Sequence, residues 1–309
     1  MEVRTYEGLF FDDLPICRGR VFFLGMLKTL SSEKWAGGVM LAQKLIVRLI
    51  VLLQCLGLGA IAILDGTAVG TYLFLYTGLE EVFSYALNYA IAIVLLGVAM
   101  ATLKEVRAWP LLVMGFVFIT EAFFKTVLGG QFASNLTLGA HMVRYMWPLL
   151  LGLSLSFDST GQSLKRRDVL FFLRLAISGT FVVHGVEALM MHPKFIDFII
   201  VANTKFPWLP ATEGFARNAL IAIGLIDIVV AMLVMMRPSL WSLGYMAIWG
   251  ALTAGARVIF ADIQGIPDMI LRAPHWGIPL LLMVLMWKRR PQKRATDQAK
   301  GEQVSAAPS

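Results

Sequence analysis

Long apolar stretches alternate with short polar segments along most of this chain. A helix needs about 20 mostly apolar residues to cross a bilayer, and eight stretches bounded by charges or by glycine and proline approach that length. We expect helices over Leu41 to Leu64, Tyr85 to Leu103, Trp109 to Leu128, His141 to Phe157, Val169 to Met191, Ala216 to Met236, Leu240 to Ala261 and Pro274 to Trp287. The sequence therefore predicts an all-α fold, a polytopic transmembrane bundle of about eight helices.

The composition agrees with a chain whose main partner is the lipid bilayer. Hydrophobic residues make up 58% of the sequence and charged residues 15%, against roughly 45–50% and 25% in soluble domains. The net charge of +7 arises from basic residues beside the apolar stretches, where membrane orientation accounts for them. We therefore expect no nucleic-acid partner.

The distribution of Lys and Arg predicts the orientation of the helices. Basic residues recur at Lys104, Arg107, Lys165 to Arg167 and Arg237, whereas residues 65–84 and 131–140 contain none. Because basic loops stay on the cytoplasmic side, we expect a cytoplasmic N-terminal segment over residues 1–38 and a flexible cytoplasmic tail over residues 289–309. The apolar run Phe195 to Val201, on the outer side, predicts a short interfacial helix.

Polar landmarks recur at similar spacing in the two halves of the chain. Asn88 aligns with Asn218, the same offset places Arg107 opposite Arg237, and Trp147-Pro148 corresponds to Ile278-Pro279. This internal similarity predicts two four-helix membrane repeats, residues 39–158 and 169–288. Each repeat has an even number of spans, so the repeats would lie parallel with a groove between them.

One part of the second half resembles a known family. The segment LRLAISGTFVVHGVEALM, Leu173 to Met190, begins with Arg-Leu and continues to His184-Gly185, as the opening helix of the DoxX and DoxD membrane proteins often does. The acidic residue of that family's second helix is matched by Asp227, which stands before Arg237 and replaces the more usual Glu. In the first half, Leu58-Gly59 and Gly97 occupy the corresponding positions.

The resemblance implies a four-helix fold and a place in redox metabolism. The family includes proteins similar to thiosulfate:quinone oxidoreductase subunits and to membrane partners of oxidative-stress proteins. It implies a quinone as the cofactor to be considered, a membrane or extracytoplasmic redox protein as partner, and a bacterial inner (plasma) membrane as location. Fold carries over from a resemblance more safely than activity does.

Several ionisable residues fall inside the predicted spans, where charges usually face a bundle interior or a wet cavity. His184 and Glu187 are three residues apart on one helix face, and Glu121 precedes Lys125 by four. With the predicted orientation most of these groups lie towards the outer side, which predicts an outward-opening polar pocket. The candidates for ligand binding or proton exchange are His184, Glu187, Asp227, Arg257, Arg144, His275, Lys125 and Glu121.

Each candidate also has a structural interpretation. Glu121 and Lys125 form a self-compensating pair in a packed bundle, and His184 and Glu187 satisfy hydrogen bonds between helices. Arg144, Arg257, Arg272 and Lys125 either bind an oxyanion or extend to lipid head groups.

Other chemistries find little support in the sequence. The chain has two cysteines and four histidines, without CxxC or HxxxH spacing, so we expect no metal site. It contains no Walker sequence, HExxH motif or nucleophile elbow, which disfavours ATP-driven transport and soluble-type hydrolysis.

Three functions therefore stay open after the sequence alone. The first is a DoxX-like, redox-associated subunit that binds a quinone or a small oxyanion in the outward pocket. The second is a secondary transporter or permease for a small solute or lipid-like molecule, and the third is a non-catalytic membrane scaffold for a partner protein.

Overall fold

The computed structural model of the chain describes residues 32–130, 132–159, 166–206 and 212–287. These residues form helices joined by short turns, with no strand among them. The chain divides into two units, Met1–Gln43 and Lys44–Ser309. The described residues of the first unit are helical. All contacts given below lie within the second unit. Residues 1–31 of the cytoplasmic segment predicted over residues 1–38 lie outside the described residues. The tail predicted over residues 289–309 also lies outside them.

The first half of the bundle contains four helices of at least 18 residues and two short ones. Their bounds are α1 Ser32–Leu64, α2 Ala68–Thr77, α3 Glu81–Lys104, α4 Ala108–Leu128, α5 Thr137–Ala140 and α6 Met142–Ser159. A 3₁₀ turn over Ser134–Leu136 leads into α5, and Pro148 lies inside α6.

The second half repeats this order of elements. Its bounds are α7 Arg166–Leu189, α8 Pro193–Lys205, α9 Glu213–Met236, α10 Leu240–Ala261, α11 Ile266–Leu271 and α12 Ala273–Trp287. A 3₁₀ turn over Asp262–Gly265 leads into α11, and Pro279 lies inside α12. The short helix, the turn before the last helix and the internal proline thus occur at the same places in both halves.

The all-α bundle expected from the sequence is confirmed, and each predicted apolar segment lies on a helix. Six stretches are long and apolar enough to cross a bilayer: Leu41–Thr77, Glu81–Lys104, Ala108–Leu128, Arg167–Leu189, Glu213–Met236 and Leu240–Leu271. They indicate an integral, multi-pass membrane protein. With 15 residues at about 1.5 Å per residue, α12 is shorter than a hydrocarbon core of about 30 Å, so the count of eight spans stays a prediction.

Helices also occupy the segments that the sequence pattern left as outer loops. The interfacial helix predicted near Phe195 is present as α8, whereas α2, α5 and α11 were not predicted. Helix α2 is defined at both ends: the Thr67 side chain accepts a hydrogen bond from the Gly70 amide, and Gly78 ends the helix with a φ of 71°. Hydrophobic content alone did not distinguish these short helices from loops.

Small residues bring several long helices into backbone contact. A Cβ atom placed on Gly185 of α7 would lie 2.8 Å from the carbonyl oxygen of Gly224 on α9. One placed on Gly250 of α10 would lie 2.7 Å from the carbonyl oxygen of His275 on α12. Small residues permit such close approach in membrane bundles, where packing rather than hydrophobic exclusion holds helices together.

A buried polar contact joins α1 to the first turns of α6. Gln54 is fully buried; its amide nitrogen donates to the Arg144 carbonyl at 2.8 Å, and its amide oxygen accepts from the Trp147 indole at 2.9 Å. Thr180 of α7 accepts the amide of Val143 at 3.0 Å, which joins the two halves. The amide nitrogen and the amide oxygen of Gln54 thus each have a hydrogen-bond partner.

Candidate functional site

A cavity of about 670 Å³, here called the polar chamber, lies at one end of the bundle. It is enclosed by the last turns of α1, α4, α7 and α10 and by the first turns of α6 and α8. This is the end opposite to the turn between α3 and α4. The polar and charged residues that line it are Asp65, Lys125, Thr137, His141, Arg144, His184, Glu187, His192, Lys194, Arg257, Gln264, Asp268 and Arg272.

His184 and Glu187 form an ion-pair geometry inside this chamber. Nδ1 of His184 lies 2.8 Å from Oε2 of Glu187, and Glu187 is buried. The contact follows from their spacing, because residues three apart on a helix share a face. It leaves Nε2 of His184 as the ring atom available to another partner.

Three arginines that line the chamber form no direct ion pair in the described part of the chain. Among the described residues, no ion pair involves Arg144, Arg257 or Arg272. The guanidinium of Arg257 donates to the Thr253 carbonyl of its own helix and lies 4.8 Å from the centre of the Phe198 ring. This cation–π contact holds the side chain towards the cavity while leaving further donors of its guanidinium available.

Some buried polar atoms beside the cavities have no hydrogen-bond partner in the described part of the chain. They are Nε of Arg144, Nε2 of His184 and both ring nitrogens of His275. A buried polar group without a partner costs about 1–3 kcal/mol, so such groups are rare unless a ligand or water binds them. Arg144 is 5% exposed and His275 2% exposed, so bulk solvent does not satisfy them.

A second cavity of about 630 Å³, here called the apolar chamber, lies beside the first between α7, α8, α9, α10 and α12. Its walls are mainly aliphatic and aromatic side chains, with His275 and Asp227 among the few polar ones. Five residues line both chambers and form their common boundary: His184, Phe195, Phe198, Arg257 and Arg272.

Asp227 belongs to the apolar chamber and is hydrogen-bonded by its helical neighbours. Its carboxylate accepts from the Tyr245 hydroxyl at 2.9 Å and from the Trp249 indole at 3.2 Å, both on α10. The side chain is buried, so these two bonds compensate for the water it has lost. Asp227 therefore joins α9 to α10 in addition to facing the cavity.

Replacing Asp227 with alanine should lower the free energy of unfolding by about 1–2 kcal/mol, because two partly buried donors lose their acceptor. Unfolding in mixed micelles by a denaturing detergent measures this change. The matched control is Asp197→Ala, at an exposed position of α8, which should change stability by less than about 0.5 kcal/mol. Equal effects of the two substitutions would contradict a structural role for Asp227.

Glu121, one of the predicted site residues, does not line the polar chamber. Its carboxylate instead accepts a hydrogen bond from the start of α2. Its two carboxylate oxygens accept the Ala68 amide at 3.1 and 2.9 Å, and Nζ of Lys125 lies 3.4 Å from Oε1. A carboxylate at this position also offsets the positive end of the α2 dipole. The geometry of the predicted pair with Lys125 is confirmed; the contact with α2 was not foreseen.

In the first half, hydrogen bonds fasten α2 at the position where the second half has the apolar chamber. Asn88 of α3 accepts both the amide and the hydroxyl of Thr67, at 3.1 and 2.6 Å, at the start of α2. Together with Glu121 these bonds fasten α2 against α3 and α4. In the second half a chamber lies between α8, α9 and α10 instead.

The predicted candidates divide between the two chambers. His184, Glu187, Arg144, Arg257 and Lys125 line the polar one, whereas His275 and Asp227 line only the apolar one. The expected single pocket is thus two adjoining cavities. Asp65, Asp268 and the aromatic boundary residues were missed, although Asp268 stands four residues before Arg272, a spacing that could have revealed it.

His192 lies in the turn between α7 and α8 and lines the polar chamber. Its Nδ1 accepts the Lys194 amide at 3.2 Å, and its ring stacks on Phe195 with centroids 4.6 Å apart. Burial lowers the pKa of His192 below its ordinary value, because desolvation disfavours the charged ring. The neutral ring therefore caps the start of α8.

The ligand-type side chains of the described residues can be compared with the geometry that a metal ion needs. Among the described residues, no group of three or more His, Cys, Asp or Glu side chains is placed to hold a metal ion. The rings of His184 and His275 stack with centroids 5.8 Å apart, which brings two imidazoles to the chamber boundary.

Comparison with known proteins adds no relative to this picture. No family model, curated protein or solved structure matches the chain. The resemblance to DoxX proteins therefore stays a prediction from the residues of α7 and α9, and the site must be interpreted from its own chemistry.

Proposed function

We propose that this chain is a DoxX-like integral membrane protein, a redox-associated subunit that binds a quinone or a small oxyanion in the polar chamber. The observation that supports this function best is the set of buried polar atoms of Arg144, His184 and His275 that lack partners in the described part of the chain. Their positions at two adjoining cavities favour a bound ligand over a purely structural role.

Both ligand types suit the donors available. Arginine guanidinium groups bind oxyanions through paired hydrogen bonds, and the unpaired Arg257 and Arg272 supply two of them. A quinone carbonyl accepts one hydrogen bond from an N–H donor, and the apolar chamber accommodates its ring or tail. The His184–Glu187 pair places a proton-exchanging imidazole beside either ligand.

The proposal includes an orientation and a location. The polar chamber faces the outer side of a bacterial inner membrane, with both termini in the cytoplasm, because the basic turns lie at the opposite end of the helices. An extracytoplasmic or membrane-bound redox partner would then reach the chamber without crossing the bilayer.

Secondary transport is the second candidate function. Two large cavities at one end of the bundle suit the entrance of a transport path, and a smaller cavity of about 120 Å³ lies at the other end, beside Arg167, Arg174 and Pro238. Alternating access requires a second state in which the inner end opens. The unequal cavities therefore support binding more directly than transport.

A scaffold function, the third candidate, predicts that His184 and Glu187 tolerate substitution.

Purification in mild detergent, followed by organic extraction and mass spectrometry of bound small molecules, tests the proposal. We expect the unmodified protein to retain a quinone or oxyanion, and His184→Ala and Glu187→Gln to retain at least tenfold less. The matched control is Glu81→Gln, at an exposed position of α3, which should retain the normal amount.

Equal elution profiles in size-exclusion chromatography establish that all variants are folded. Ligand content that is the same in every variant would contradict the assignment of the polar chamber. Accumulation of a solute in vesicles that depends on His184 and Glu187 would favour the transporter, and partner co-purification without either activity would favour the scaffold.

A further inference from the structure

The two chambers differ in chemistry and share a boundary that carries positive charge. Of the residues lining both chambers, Arg257 and Arg272 are the charged ones, and neither has an ion-pair partner among the described residues. An apolar cavity therefore ends at two guanidinium groups. A ligand that satisfies both surfaces must combine a hydrocarbon part with an anionic part.

We propose that the site binds one single-chain anionic amphiphile, with a carboxylate or phosphate head held by Arg257 and Arg272 and its hydrocarbon chain in the apolar chamber. This inference rests on the proposed function, because it takes the polar chamber as an oxyanion site. It adds that the oxyanion is the head group of a lipid-like molecule.

The charges around the boundary agree with an anionic head. The polar chamber is lined by five cationic side chains and three acidic ones, namely Lys125, Arg144, Lys194, Arg257 and Arg272 against Asp65, Glu187 and Asp268. Glu187 is paired with His184. In the apolar chamber the acidic residue is Asp227, whose carboxylate is already bound by Tyr245 and Trp249.

The apolar chamber opens where a hydrocarbon chain would enter from lipid. Phe206, Phe215 and Leu252 line the chamber and are 40%, 39% and 59% exposed, respectively. They belong to the region between α8, α9 and α10, on the apolar outer surface of the bundle. Exposed apolar residues of a membrane bundle face acyl chains, so we place the entry of the chain beside these three residues.

The volume and unpaired donors of the site agree with the same ligand. The apolar chamber, at about 630 Å³, is within the range of about 300–1,000 Å³ typical of small-molecule sites. The 2% exposed ring of His275 faces it with both nitrogens unpaired in the described part of the chain. An oxygen of the head group would accept a hydrogen bond from this ring, which lines the same chamber as Arg257 and Arg272.

Binding to the full-length protein in lipid nanodiscs tests the inference, with empty nanodiscs as background. The probes are radiolabelled hexadecanoate, hexadecan-1-ol with the same chain but no charge, inorganic phosphate and a short-chain benzoquinone. We expect saturable binding of hexadecanoate and at least tenfold weaker binding of hexadecan-1-ol. Inorganic phosphate should bind more weakly than hexadecanoate, because it lacks the chain.

Two kinds of variant test separately the contacts to the head group and the contacts to the hydrocarbon chain. Arg257→Gln combined with Arg272→Gln should weaken hexadecanoate binding at least tenfold, whereas Arg237→Gln, an exposed arginine at the other end of the bundle, should leave it unchanged. Ala219→Phe, which fills the apolar chamber and keeps both arginines, should also weaken it. Its control is Ala90→Phe, at an exposed position of α3.

The remaining outcomes distinguish this inference from the proposed function. Equal binding of hexadecanoate and hexadecan-1-ol, or no effect of the arginine and Ala219 variants, would overturn the inference. Binding of benzoquinone or phosphate alone, sensitive to His184→Ala, would overturn it while supporting the proposed function. Binding of no probe at all would overturn both.

Discussion

Replacing Glu121 with leucine should lower the free energy of unfolding by about 2–4 kcal/mol, because a buried amide and a partly buried ammonium group lose the carboxylate that pairs with them. Glu121 is 5% exposed, accepts the Ala68 amide with both carboxylate oxygens and pairs with Lys125. Leucine leaves the first amide of α2 unpaired and the ammonium group of Lys125 without its counter-charge. The side-chain volume changes little, so the loss is electrostatic.

Detergent-induced unfolding in mixed micelles measures this loss, and two further variants identify its source. The double variant Glu121→Leu with Lys125→Leu should recover part of the stability, because the uncompensated charge is gone. Glu81→Leu, at an exposed position in the first turn of α3, is the matched control. A loss below about 1 kcal/mol for Glu121→Leu would show that its carboxylate does not hold α2.

Adding one methyl group at Gly185 should destabilise the protein by about 2–3 kcal/mol, because overpacking forces a shift of the backbone. The new Cβ of Gly185→Ala would lie 2.8 Å from the Gly224 carbonyl oxygen and 2.8 Å from Cγ1 of Ile228. Relief requires α7 and α9 to separate, which also displaces His184, the neighbouring residue, from the chamber boundary.

The same substitution at Gly97 should stabilise the protein instead of destabilising it. A Cβ at Gly97 meets no heavy atom within 4 Å, so Gly97→Ala should gain up to about 1 kcal/mol from helix propensity. Thermal unfolding of both variants, with ligand retention measured in parallel, checks the pair. If Gly185→Ala were as stable as Gly97→Ala, the close contact between α7 and α9 would not constrain the bundle.

The helical bundle could be predicted because helices that lie in lipid need long apolar segments, which are visible in the sequence. Each apolar segment had to supply enough length for a span, and each lies on a helix. The short helices were harder to predict: α2 begins at residues whose partners, Asn88 and Glu121, are distant in sequence, and α11 follows a 3₁₀ turn without a side-chain cap. Of the short helices only α8, around Phe195, was predicted, although the sequence of α2 is also apolar.

Contacts within one helix could be predicted at the site, whereas contacts between helices could not. The spacing of His184 and Glu187, and of Glu121 and Lys125, placed each pair on one face of a helix. The bonds from Glu121 to Ala68 and from Asp227 to Tyr245 depend on how neighbouring helices are rotated and shifted. That geometry is set by packing across the whole bundle. For the same reason the sequence predicted one pocket and not two chambers.

The internal prolines weaken the backbone at the level of the chambers. A proline has no amide hydrogen, so the carbonyl four residues earlier loses its helical partner; for Pro148 this carbonyl belongs to Arg144, and for Pro279 to His275. Gln54 supplies a substitute donor for the Arg144 carbonyl, whereas the His275 carbonyl lies against the backbone of Gly250. Because a proline inside a helix favours a kink, we expect α6 and α12 to bend most easily near Arg144 and His275.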